Sequence, residues 1–179
     1  MDLVPFAVAV GVPVLALLFF FEGMLIGKVL QAPWVFVAYV TVAEPGPVYT
    51  AVAVGACVIG ATAGQVVLYR GFHPDVSGFV GERRRVPYLD AVPGIVHRRI
   101  PDRTLEVLAR LFDRHGALAI TTTNALPIVR GLLTIPAGVS RYPRRSFVVA
   151  STVGNLAYVL LYLAIAYGLL EVLRVVAGG

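Results

Sequence analysis

Cysteine and charge are what this sequence has least of. Its single cysteine, Cys57, lies inside an apolar run, which excludes an internal disulfide and a cysteine metal site and leaves the residue as a small buried hydrophobe. Charged residues make up 14% of the chain, against roughly 25% in soluble proteins. His73, His97 and His115 lack metal-ligand spacing. No nucleophile comes with a base and an orienting group, and no phosphate-cradling glycine loop occurs, so no metal or cofactor is expected and enzyme activity is disfavoured. The opening apolar run, residues 4–21, lacks the basic n-region of a secretory signal, since Asp2 follows Met1.

What the sequence has instead is apolar length. Of its 179 residues 58% are hydrophobic, and the mean hydropathy is +0.83. This composition marks an integral membrane protein of one domain, with room for about four to six membrane segments. The net charge of +5 comes from arginines in two stretches beside apolar segments, nine between Arg70 and Arg114 and three at Arg141, Arg144 and Arg145. Anionic lipid heads attract arginine in such places, so the basic balance points to membrane lipid and away from nucleic acid.

Read along the chain, residues 4–21 form a short span with a kink expected at Pro13. Residues 22–42 are apolar but broken by Gly23, Gly27, Lys28 and Pro33, and the loop Ala43, Glu44, Pro45, Gly46, Pro47 follows, so that the broken segment is taken as 22–46. Residues 48–69 make a clean span that stops at Arg70, which places that end in the cytoplasm. The polar connection 71–115 becomes helical after Asp102, a plausible N-cap. There Leu105, Leu108, Leu111 and Phe112 recur at helical spacing, as in a helix lying on the membrane surface. Residues 147–170 are a further span.

Between them, residues 116–140 carry an arginine and two prolines in a mostly apolar stretch with arginine clusters on both sides. A single crossing would leave one cluster on the wrong face, and the segment is too short to cross twice. A hairpin that dips in from the cytoplasmic side and returns satisfies both limits. Its turn, near Pro127 to Pro136, must then line a protein or water-filled site, because non-helical backbone at that depth needs partners. The two halves therefore repeat: broken hairpin 22–46 and span 48–69, then broken hairpin 116–140 and span 147–170, in opposite orientation. The fold class expected is an all-α polytopic membrane protein built as an inverted repeat, a pattern shared with secondary transporters.

The same residues resemble the DedA membrane proteins, which share the VTT or SNARE-associated domain. The resemblance rests on Phe112, Arg114 and Gly116, then Asn124, Pro127, Arg130, Ala137, Gly138, Val139 and Ser140, then Phe147 with Gly154. In the first half it rests on Glu22, Gly60, Gly64, Tyr69 and Gly71. The chain departs from the family pattern at three places. Asn124 stands where an arginine is usual, Gln65 where an aspartate is common, and Gly27, Lys28 and Val29 where a proline-glycine-acid turn is usual. The resemblance implies movement of a lipid-phosphate carrier, such as polyprenyl phosphate, or of lipids between leaflets, and a link to proton-motive-force homeostasis. It places the protein in a prokaryotic-type plasma membrane.

An arginine at a helix centre costs about 2.5–3.5 kcal/mol to insert, so Arg130 should face a cavity, a carboxylate or an anion. Phosphate fits its paired planar donors, but closure of the hairpin tips on Glu22 or on carbonyls would also satisfy it. The candidate substrate-binding set is Arg130, Asn124, Pro127, Gly131 and Gly138, where the proline and glycines suit turns and close packing and Asn124 either binds the headgroup or caps carbonyls. Glu22 is the candidate proton-coupling residue, or else a partner of Lys28. Thr121, Thr122 and Thr123 suit back-bonding within a helix, and Tyr39, Tyr158, Tyr162 and Tyr167 suit packing or the membrane interface. Three functions are compatible with these residues: transfer of an anionic lipid by a flippase or scramblase, proton-coupled ion antiport through Glu22, or a structural role without transport. The partners are phosphate-bearing membrane lipids, no nucleic acid is expected, and a homo-oligomer is left open. The N-terminus and the basic loop are expected in the cytoplasm.

Overall fold

The computed structural model describes residues 3–25, 31–72, 110, 112 and 114–177, and every regular element among them is a helix. In chain order these are α1 (Leu3–Gly23), α2 (Ala32–Ala43), α3 (Pro47–Gly71), α4 (Ala117–Ala125), α5 (Thr134–Val139) and α6 (Arg144–Ala177). Two of them are long and apolar enough to cross a membrane, Pro47–Gly71 and Arg144–Val176. The expected surface helix lies outside the described residues apart from its last turn, where Phe112 is buried and Arg110, Arg114 and His115 are exposed.

Local chemistry explains the helix ends. α1 contains Pro13 and stops at Gly23, after which Leu25 and then Gln31 take left-handed backbone conformations. α2 starts with a proline in its first turn, where the missing N–H costs nothing. It ends at Glu44, also left-handed, ahead of Pro45 and Pro47. α6 continues past the expected end at residue 170, through Glu171 and Arg174, because nothing in that sequence breaks a helix.

The chain forms two compact units, Met1–Gly64 with Asn155–Gly179, and Gln65–Gly154. The first packs Leu15, Phe19, Phe36, Val40, Val58 and Val159 into one core. Phe19 and Phe36 meet edge to face at 6.4 Å, joining α1 to α2. α1 and α3 approach until main chain touches main chain. A Cβ added at Gly60 would overlap the carbonyl oxygen of Ala16, and one at Gly64 that of Phe20. Gly60 and Gly64, four residues apart on α3, form the small-residue face that lets apolar helices approach closely and gain dispersion contacts. Within the same unit the Asn155 amide donates to the Thr62 hydroxyl at 3.0 Å, so a polar pair lies inside apolar helices.

The second unit is centred on Tyr69, Phe112, Ile120, Leu132 and Phe147. Tyr69 stacks on Phe147 at 4.6 Å and donates its hydroxyl hydrogen to the Tyr142 carbonyl. Phe112 rests on Tyr142 at 5.5 Å, so its ring belongs to this core. Large apolar side chains cover much of the outside, among them Val42, Ile59, Leu118, Ile128 and Val149. An apolar exterior over polar pairs inside suits a lipid solvent.

Gly64→Val should force α1 and α3 apart and cost about 1–3 kcal/mol, read as a lower Tm in detergent and loss of the monodisperse peak. Gly168→Ala, where a Cβ meets nothing within 4 Å, should leave both unchanged.

Candidate functional site

The second unit holds the break between α4 and α5. Pro127 ends α4, because a residue that precedes proline is pushed out of helical backbone. Leu126 accordingly has φ −96° and ψ 122°. Residues 126–133 then turn without regular helix, and Gly131 takes φ +75°, which a residue with a Cβ adopts only under strain.

Asn124 holds this turn. Its Oδ1 accepts from the Gly131 N–H at 3.1 Å and from the Gln65 Nε2 at 3.0 Å, while its own amide group points back to Gln65 Oε1 at 3.5 Å. Both side chains are buried, Gln65 completely. The Gly131 carbonyl in turn accepts from the Thr134 N–H at 3.1 Å, so a backbone link runs from Asn124 into α5. α6 closes on the other side. Gly154 lies so near that an added Cβ would stand 2.5 Å from the Thr121 carbonyl oxygen and 2.6 Å from Asn124 Cβ, and Thr121 donates its hydroxyl hydrogen to the Ala150 carbonyl at 3.2 Å.

Arg130 sits in the turn and is 4% exposed, so its planar donors are withdrawn from solvent, one residue before the Gly131 N–H that Asn124 holds. Two further buried hydroxyls, Thr134 Oγ1 and Ser151 Oγ, have no hydrogen-bond partner among the described residues. An unmet buried hydroxyl costs about 1–3 kcal/mol, so such groups call for an explanation. A buried guanidinium and buried hydroxyls in one unit are the donor types that can hold an oxyanion.

The structure joins Asn124 and Gly131 of the candidate set directly, and it seats Arg130 beside Gly131 in the chain. Gly138 acts in packing, for its Cβ would be 2.6 Å from the Tyr69 carbonyl oxygen, and Pro127 is exposed where the turn starts. Glu22 belongs to the first unit, half-buried, where the Tyr158 hydroxyl donates to its Oε1 at 3.1 Å. Tyr158 is therefore more than the packing residue its sequence suggests, although it also packs on Tyr162 at 5.0 Å. Thr123 bonds back to Ala119 within its helix as expected, but Thr121 reaches across to α6. Gln65 had no assigned role. Its signal in the sequence is an amide in the middle of an apolar span, a group that must find a partner in lipid.

The chain is similar to the undecaprenyl phosphate transporter A of Bacillus subtilis (strain 168), with 28% identity over 118 residues. The match covers 65% of this chain and 54% of that protein, so it spans about half of the relative's length. No family model matches the sequence, and no solved structure matches it.

Asn124→Leu leaves the Gln65 amide and the Gly131 N–H without their partner and should cost about 1–3 kcal/mol. Gln65→Leu should cost a similar amount, and the double substitution less than the sum, read as Tm in a double-mutant cycle. Additive losses would show that the two amides do not act together. The relative is a DedA family member, and the similarity supports the DedA resemblance read from this sequence.

Proposed function

We propose that this protein moves a phosphate-bearing lipid carrier, such as a polyprenyl phosphate or a phospholipid, between the leaflets of a plasma membrane. The observation that carries this reading is Arg130, a charge buried at 4% exposure in a non-helical turn between two helices. Charge at such depth is costly and marks a pathway for an ion or a headgroup. The similar Bacillus subtilis protein is a transporter named for undecaprenyl phosphate, a phosphate-bearing lipid.

In this reading residues 22–46 and 116–140 are re-entrant hairpins of opposite orientation, and the N-terminus and the arginine-rich connection face the cytoplasm. Arg130 pairs with the phosphate oxygens in the plane of its guanidinium. The amide node keeps the turn that carries Arg130 in place, so that the headgroup meets preorganised donors when it leaves water. Glu22 exchanges a proton, with Tyr158 orienting its carboxyl group. The Tyr158 contact also favours a second reading, proton-coupled ion antiport through Glu22.

Reconstituted liposomes separate the two. The first reading expects exchange of labelled polyprenyl phosphate or phospholipid that falls at least about tenfold in Arg130→Ala, the loss of one charge-assisted contact, and a smaller fall in Glu22→Gln. Cation-driven proton flux that disappears in Glu22→Gln, without lipid exchange, would establish the antiporter instead. Neither flux would leave a structural role.

A further inference from the structure

We infer that the hydroxyls of Thr134 and Ser151 are ligand contacts for a phosphate oxyanion in the second unit. The inference rests on the lipid-phosphate reading above for the origin of that phosphate, but the site itself stands on separate observations.

The first is how hydroxyls behave elsewhere in this chain. In apolar helices a Thr or Ser hydroxyl normally closes on a carbonyl one turn earlier. Thr41 does so on Val37 at 3.0 Å, Thr123 on Ala119 at 2.8 Å and Thr152 on Val148 at 2.8 Å. Ser151, well inside α6, makes no such bond, and neither does Thr134. Both are buried, at 0% and 2% exposure. Valine and alanine would fill the same space without the desolvation of a hydroxyl, so packing does not account for these side chains.

The second observation is where they lie. Thr134 donates its backbone N–H to Gly131, whose own N–H is held by Asn124. Ser151 is three residues before Gly154, one helical turn along the face of α6 that packs on Thr121 and Asn124. The two segments thus come to the Asn124 node from different elements, and Arg130 belongs to the same unit. The third observation is charge. Among its described residues this unit has seven arginines and no aspartate or glutamate. Such a field repels a cation and draws an anion. A hydroxyl that has no protein acceptor keeps its hydrogen for an oxyanion, and phosphate offers several oxygens in the spread that donors from two elements require.

The test is binding measured on the purified full chain. Tm is followed in detergent while inorganic phosphate or a short-chain prenyl phosphate is added, for the wild type, Thr134→Val, Thr134→Ser and Ser151→Ala. The expected result is a ligand-dependent rise in the wild type, a roughly tenfold weaker apparent affinity in Thr134→Val and in Ser151→Ala, and near wild-type affinity in Thr134→Ser, which keeps the hydroxyl. Without ligand, Thr134→Val should be as stable as the wild type or more so. A response to prenyl phosphate alone assigns the site to a lipid headgroup, and a response to both ligands assigns it to phosphate as such. No rise in the wild type, or equal affinity in all four proteins, overturns the inference. If the affinity pattern holds but liposomes show no lipid exchange, the transport reading fails while the site stands.

Discussion

A chain that leaves the helix among packed apolar helices must find partners for its own amides, and this constraint shapes the second unit. Pro127 forces Leu126 into extended backbone and frees the groups that follow. Asn124, one turn back on the same helix, takes the Gly131 N–H. It can do so because Gln65 fixes its orientation and Gly154 lets α6 come close without a side chain. Remove the amide pair and the turn keeps only its local backbone bonds, such as Thr134 N–H to the Gly131 carbonyl, and loses its tie to α3. The turn that carries the Arg130 charge is thus tied down by neutral dipoles, which cost far less to bury than ions.

The first unit meets the same problem with the same means. Gly60 and Gly64 bring α1 against α3, and polar side chains in the apolar helices are matched: Thr62 with Asn155, Glu22 with Tyr158. Close main-chain contact and paired polar groups replace the hydrophobic drive that water would supply, since lipid gives no gain for burying one apolar surface against another.

Much of this architecture was legible in the sequence. Hydropathy and the positions of arginine marked α3 and α6, and the prolines and glycines marked breaks in 22–46 and 116–140, where α1 stops at Gly23 and α4 at Ala125. The partners of the polar residues were not legible. Gln65 and Asn124 lie 59 positions apart, and periodicity says nothing about such a pairing. Both are departures from the DedA pattern, and the structure hydrogen-bonds them to each other, so each difference is matched by the other. Tyr158 was hidden for another reason. A tyrosine in an apolar span reads as packing until the carboxylate 136 positions away is known to receive its hydroxyl. Ser151 and Thr134 gave no signal, because what distinguishes them is a buried hydroxyl without a partner among the described residues.

In the proposed topology the chain around Arg130 dips into the bilayer and returns to the side it came from. Single cysteines at His115 and Ser140, both exposed and on either side of the break, test it directly in a Cys57→Ala background with a membrane-impermeant maleimide applied to right-side-out and inverted vesicles. The account predicts that both positions are labelled from the cytoplasmic face only. Labelling of the two from opposite faces would contradict it.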